Sequence, residues 1–259
     1  MGSSERGVLV SGNWKMHVNH FEAHKLVQEL AALLRAQGLA EGCEASVHPP
    51  FTSLRTVQTA VETDHVPLAL GAQTCHQADK GAYTGEVSAE MLAKLNVRYV
   101  IAGHSERRRH CGETDEVVRA KVDAILRHGM VPIVCVGEDA DERAAGAALD
   151  RVRSQVAAAF EGRSGEVVAS AVVAYEPIWA IGTGVTATSD DAEEMCGAIR
   201  AELARLAGGA AEATRIQYGG SVTAENGADL LGRPNVDGLL VGGASLDATS
   251  FHAIARAAR

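Results

Sequence analysis

A glutamate followed directly by proline, Glu176-Pro177, closes an apolar run. Proline disfavours helical geometry for the residue before it, so Glu176 is expected to stand extended at a strand end, where a carboxylate can serve as a positioned base. A second group, Gly103-His104-Ser105-Glu106, also follows an apolar run. A lone histidine is more often structural than catalytic. One at the end of a buried strand, with Ser105 capping a short helix, would face a positive helix end that disfavours the imidazolium form. A third group is Asn13-Trp14-Lys15. It offers an amide and a point charge suited to steadying an anion or a developing oxyanion, although a lysine leaving a strand is usually a solvated surface charge.

Two glycine pairs, Gly219-Gly220 before Ser221 and Gly242-Gly243, end the last two apolar runs. One such pair marks a turn. Two in succession, each leading to a short helix, expose backbone N–H groups able to hold phosphate, and Ser221, Gly242 and Gly243, with Gly182, read as a neutral cradle. After Glu176 come Pro177, Ile178, Trp179, Ala180, Ile181, Gly182, Thr183 and Gly184, a stretch too apolar for an idle surface loop. It reads either as a lid that would bury a ligand and bring the Gly182 N–H to an anion, or as a loop packed permanently into the core. Arg109 reads as solvated, whereas Arg107 and Arg108 read either as part of the same solvated face or as ion pairs with Glu106 beneath the site.

These segments need a frame that gathers them. Runs rich in Val, Ile, Leu and Ala begin near residues 8, 44, 67, 98, 131, 168, 214 and 237, each followed by a segment of helical period. The run over residues 167–175 has almost no polar alternation and reads as a parallel strand covered on both faces. After the candidate cap Asn19, Leu26, Leu30, Leu33 and Leu34 share one helical stripe that Gly38 would stop. No linker or composition shift divides the 259 residues. Eight strand–helix units therefore predict one α/β domain over residues 1–259, a closed eight-stranded parallel (β/α)8 barrel. Residues 1–7 would be a flexible N-terminal tail, and an open doubly wound sheet is the alternative. In a barrel the residues that follow each strand collect at one rim.

Composition narrows the class. With 46% hydrophobic residues and six prolines, disorder is a poor reading. Twenty-four Lys+Arg against 33 Asp+Glu give a net charge of -9, a field that repels nucleic acid and anionic lipid while leaving a local anion site possible. The five cysteines are scattered and form no C-x-x-C pair, which fits reduced thiols in a cytoplasm, and Cys135 reads as an ordinary buried strand cysteine. No apolar run approaches the ~18 residues of a bilayer span, so no membrane partner is expected.

Together, GNWKM at 12–16, GAYTGE at 81–86, AGHSERR at 102–108, AYEPIWAIGTG at 174–184, YGGSV at 218–222 and LVGGASL at 240–246 closely resemble the triosephosphate isomerase family, in order and over nearly the whole chain. The resemblance implies a TIM barrel and an aldose–ketose isomerase of glycolysis and gluconeogenesis. The reaction would interconvert dihydroxyacetone phosphate and D-glyceraldehyde 3-phosphate through an enediolate, with no metal or redox cofactor. Glu176 would be the base, His104 the neutral electrophile, Lys15 and Asn13 substrate contacts, and Gly182, Ser221, Gly242 and Gly243 the phosphate site. Ile181 and Leu240 would clamp over the base. This family is itself the standard illustration of such a carboxylate–imidazole pair beneath a closing loop, so only the placement at 176, 104 and 15 is specific here.

The resemblance also implies a homodimer, with the loop over residues 73–86 reaching toward the partner's site and Thr84 at the contact. Three positions depart from the family's pattern: Thr74 and His17 stand where asparagine is usual, and Val185 replaces a frequent lysine at the far hinge of the lid. None removes a catalytic group. Two other readings remain open at this level. One is the same chemistry on a longer phosphorylated ketose such as a tetrulose phosphate. The other is a non-catalytic phosphosugar-binding protein, for which Glu176 and His104 would be dispensable.

Overall fold

A computed structural model describes residues 6–181 and 187–258. Its strands are β1 (Val8–Asn13), β2 (Cys43–His48), β3 (Ala69–Ala72), β4 (Tyr99–Ala102), β5 (Val131–Val136), β6 (Val172–Tyr175), β7 (Arg215–Tyr218) and β8 (Gly238–Val241). They pair in parallel and in sequence order, and β8 returns to β1, so the barrel is closed and the open sheet is excluded. The helices are α1 (His20–Gln37), α2 (Phe51–Thr63), α3 (Ala89–Ala93), α4 (Ser105–Cys111), α5 (Asp115–Arg127), α6 (Ala140–Ala144), α7 (Ala148–Phe160), α8 (Gly165–Ser170), α9 (Ser189–Ala207), α10 (Gly227–Leu231) and α11 (Ala248–Arg256). The closing seam is tight. At Gly238 a Cβ would lie 2.0 Å from the Leu9 carbonyl oxygen, a contact only glycine avoids.

The first helix follows its sequence signals. Asn19 accepts from the N–H groups of Phe21 and Glu22, the Glu22 carboxylate returns to the Asn19 N–H, and Gly38 ends the helix. Losing the Asn19 side chain would cost about 1 kcal/mol. Leu26, Leu30 and Leu34 are buried, while Leu33 is only partly covered. One expected strand divides. Residues 165–170 form a helix, because Ser164 accepts from the Val167 N–H and caps it, and the strand begins only at Val172. At the amino end, residues 1–5 lie outside the described residues, and the Arg6 guanidinium donates to Asp237 at 2.6 Å.

Alternation along the strands sorts side chains into two cores. Leu9, Tyr99, Ile101, Ile133, Cys135, Val172, Ala174 and Leu240 cluster inside the barrel. Residues between them, such as Val10, Val100, Val134, Val173 and Leu239, pack in the larger cluster that includes the helices. Cys135 is fully buried and burial pushes its thiol pKa well up, as an inert strand cysteine requires. At the strands' N-terminal end, Tyr99 donates to Glu44 at 2.7 Å, and Arg215 donates to both Glu44 (3.0 Å) and the Tyr99 hydroxyl (2.7 Å). Arg98 pairs with the same carboxylate at 2.6 Å, and this cluster floors the barrel.

His48 is fully buried inside the barrel, and burial lowers its pKa from the ordinary 6.5 to about 4, although a bond to the Ala72 carbonyl acts the other way. The unfolded chain therefore takes up a proton at this residue before the folded one does. Its contribution is complete above about pH 6.5 and fades as pH falls toward 4, at most on the order of 3 kcal/mol. Urea unfolding at pH 7 and pH 5 should show a smaller loss of stability for His48→Asn than for the unaltered protein. Equal losses would rule out His48 as a source of the acid sensitivity.

Candidate active site

Glu176 directly follows β6, and its N–H donates to the Val136 carbonyl at 2.8 Å, which fixes the backbone at the strand's end. Its carboxylate is 2% exposed. Three contacts satisfy it: the Ser105 N–H donates to Oε2 at 2.9 Å, the Ser105 hydroxyl donates to Oε1 at 3.2 Å, and His104 Nε2 lies 3.0 Å from Oε1. Burial raises the Glu176 pKa, but the His104 ring and the Ser105 bonds overcome it and carry the carboxyl below its usual range.

The cap of α4 is His104 itself rather than Ser105. His104 Nδ1 accepts from the Glu106 N–H at 3.2 Å, which frees the Ser105 hydroxyl for Glu176. A nitrogen accepting that bond carries no proton, so the ring hydrogen is assigned to Nε2, facing Glu176. Two influences oppose each other at this ring. Burial lowers the His104 pKa and the facing Glu176 carboxylate raises it, with a net upward direction. Protonating Nδ1 would surrender the cap bond at the helix start, and the neutral Nε2–H form is the one that satisfies both ring contacts.

Lys15 leaves β1 in the left-handed region, at φ 51°, which is strained for a residue with a side chain. Two side chains hold it there. Its N–H donates to Asn13 Oδ1 at 3.1 Å, and its carbonyl accepts from Gln73 Nε2 at 2.7 Å. The ammonium pairs with Glu106 Oε1 at 2.5 Å. On the opposite wall, a Cβ at Gly242 would stand 3.7 Å from Lys15 Cε, ordinary contact distance, which places the lysine stem directly beside the glycine pair. Asn13, Lys15, His104, Glu176, Ile181, Ser221, Leu240, Gly242 and Gly243 line one cavity of about 310 Å³. Among the described residues, the N–H groups of Ser221, Gly242 and Gly243 donate to no protein acceptor. Gly182, Thr183, Gly184 and Val185 lie outside the described residues.

A larger groove of about 480 Å³ lies at the other end of β2 and β3, lined by Leu39, Leu68, Leu95, Glu44 and Arg98, and it gathers none of these groups. Among the described residues no set of three or more His, Cys, Asp or Glu could hold a metal ion.

Several site residues escaped the sequence reading. Glu106 pairs with Lys15, not with the arginines, which take Glu113 (Arg107) and Asp115 (Arg108), while Arg109 is exposed as expected. From sequence, Gln73 marks only the start of the 73–86 loop. Glu138 is fully buried and accepts from Tyr175 (3.0 Å), Trp179 Nε1 (2.7 Å) and Arg143 (3.2 Å), and the Arg143 guanidinium also lies 4.3 Å from the Trp179 ring centroid. This carboxylate anchors the near end of the apolar segment after Glu176. A glutamate two residues past a strand carries no local signal for that role.

The bonds from Ser105 stabilise the charged form of Glu176. Ser105→Ala removes one of them, so the acid limb of kcat/KM should move to higher pH. A profile unchanged from the unaltered protein would show that the hydroxyl does not tune the carboxylate.

Residues 8–258 match the family model described as triosephosphate isomerase. The triosephosphate isomerase of Streptomyces avermitilis is 50% identical over 254 residues, covering 98% of this chain and 98% of the relative. That of Cutibacterium acnes is 50% identical over 251 residues, covering 96% and 97%. That of Streptomyces coelicolor is 49% identical over 252 residues, covering 97% of each. With a closed parallel barrel, a carboxylate and an imidazole at one mouth, and a match along almost its full length, the chain belongs to the triosephosphate isomerase family.

Proposed function

We propose that this chain interconverts dihydroxyacetone phosphate and D-glyceraldehyde 3-phosphate, with Glu176 moving the proton. The observation that carries the reading is the 3.0 Å approach of His104 Nε2 to Glu176 Oε1 beside a cavity bordered by Lys15 and two glycine pairs. Glu176 takes a proton from the carbon next to the carbonyl, the electron pair moves onto the oxygens as an enediolate, and the carboxyl returns the proton to the neighbouring carbon. No electrons leave the substrate, so proton transfer alone balances the reaction. The His104 Nε2–H donates to the oxygen that gains charge, and Lys15 offsets the negative ligand. Asn13 steadies Lys15, through its bond to the Lys15 N–H.

The free N–H groups of Ser221, Gly242 and Gly243 suit phosphate, and by the resemblance Gly182 joins them. Glu176 is bonded to Ser105 and must exchange those bonds for the substrate carbon. Residues 177–184, anchored at Trp179, are read as the lid that accompanies this exchange. Excluding water also protects an enediolate phosphate from eliminating its phosphate. A coupled isomerase assay on the purified protein tests the reading. Glu176→Gln should lower kcat at least ~10³-fold, about 4 kcal/mol in the barrier, with the melting temperature nearly unchanged. Lys15→Met should raise KM. Native turnover in Glu176→Gln would exclude it as the base.

We also infer a homodimer of single-domain chains, located in the cytoplasm. Among the described residues no helix is long and apolar enough to cross a membrane, and the cysteines are free. The loop over residues 73–86 exposes Tyr83 (50%) and Thr84. Met16 is 94% exposed, beside a cavity of about 300 Å³ that it lines with Phe51, Gln73, Thr74, Lys15 and His104. Such exposed apolar side chains around a pocket suit the same loop of a second copy. Thr74 is buried there and accepts from the Lys121 ammonium at 2.8 Å, which also pairs with Glu113 at 2.5 Å, so the departure from asparagine keeps a bonded polar side chain. His17 is exposed. Light scattering should give twice the 27.0 kDa chain mass, and Thr84→Arg should shift it toward the monomer. A monomer that is fully active would reject the dimer.

A further inference from the structure

Inside the barrel, below the rim that carries Asn13, runs a line of fully buried polar side chains that the isomerase chemistry does not use. Gln217 Nε2 donates to the Leu9 carbonyl at 3.0 Å and lies 2.9 Å from Ser11 Oγ. Ser11 Oγ is 2.9 Å from Ser46 Oγ, which is 3.1 Å from His48 Nε2. His48 Nδ1 is 3.2 Å from the Ala72 carbonyl oxygen.

The two ends of this line fix every hydrogen in it. A carbonyl only accepts, so His48 carries its proton on Nδ1, and the neutral ring leaves Nε2 to accept from Ser46. Ser46 then accepts from Ser11, and Ser11 accepts from the Gln217 amide. That amide cannot be turned over, because its oxygen would then face the Leu9 carbonyl. The hydrogen bonds all run one way, from Gln217 to Ala72, and His48 holds the tautomer opposite to that of His104.

The end of the line reaches the active site. Ala72 precedes Gln73, whose Nε2 donates to the Lys15 carbonyl at 2.7 Å and to the His48 carbonyl at 2.9 Å. The same His48 carbonyl accepts from the Trp14 N–H at 3.2 Å. Strand β3 makes room for the ring: a Cβ at Gly71 would stand 2.2 Å from His48 Nδ1. His48 thus grips both the peptide from which Gln73 reaches out and, through its own carbonyl, the amide that Gln73 presents. We propose that His48 is a positioning residue for Lys15: its Nδ1–H bond to Ala72 sets the Gln73 amide, which holds Lys15 in its left-handed conformation and aims the ammonium at an anionic substrate. This rests on the reading that Lys15 contacts that substrate.

Two substitutions separate positioning from space-filling. His48→Leu keeps apolar volume and loses the donor, while His48→Asn loses volume and keeps an N–H donor at the Nδ1 position. His48→Leu should raise KM, and the inhibition constant of inorganic phosphate, roughly tenfold with kcat within about threefold, and His48→Asn should stay within about twofold of native on all three. The reverse order, leucine near native and asparagine impaired, would assign His48 to packing and overturn the proposal. Nitrogen-15 NMR of the unaltered protein needs no variant to fold. It should show His48 with a protonated Nδ1 and a bare Nε2, and an Nε2–H ring or an imidazolium at pH 7 would overturn the proposal equally. A native KM in His48→Leu, where Lys15→Met has lost affinity, defeats the positioning role alone. A native KM in Lys15→Met defeats the reading of Lys15 on which it rests.

Discussion

The meeting of Lys15 with the last glycine pair depends on the seam where β8 meets β1. Parallel strands cannot be joined by tight hairpins, so each is reached through a crossover, and all eight point the same way. Closing the sheet then places their far ends on one rim. Asn13 and Lys15 leave β1, whereas Gly242 and Gly243 leave β8, at the two ends of the chain. The register Leu9 opposite Gly238 and Gly12 opposite Val241 brings them together, and the missing side chain at Gly238 lets the backbones approach closely enough. An open sheet of the same strands would leave the lysine on one edge and the Gly242-Gly243 pair on the other.

Within that rim one short helix holds groups of both signs. The buried carboxylate of Glu176 is tied to a helix start, and the ammonium of Lys15 is tied to Glu106 from the same short helix. One segment, His104-Ser105-Glu106, thus holds both the Glu176 carboxylate and the Lys15 ammonium. Burial works against the ionised form of Glu176 while His104 and Ser105 favour it, so a ligand that displaces Ser105 must supply comparable stabilisation in the transition state.

The architecture was legible because eight apolar runs separated by helical periods leave few alternatives, and the residues that line the candidate site sit in segments directly after those runs. The misread boundaries have a common cause. An apolar stretch such as 167–175 does not itself distinguish a short buried helix from a strand, and Ser164 decides the matter through a cap bond. By residue type Ser105 is the cap, yet the neighbouring imidazole can also accept a backbone N–H and does so. The pairing of Lys15 with Glu106, the clamp by Gln73 and the interior line ending at His48 join residues from different strands and helices. Their chemistry is plain in the sequence, but their meeting is set by barrel register, which local pattern does not encode.

The floor made by Glu44, Tyr99, Arg98 and Arg215 gives the vessel a blind end. Among the described residues, this cluster and the packed layer of Leu9, Ile101, Ile133 and Val172 occupy the lower barrel, so a ligand enters and departs at the rim. Forward and reverse traffic share it and take turns, and a small anion lodged there obstructs both directions alike.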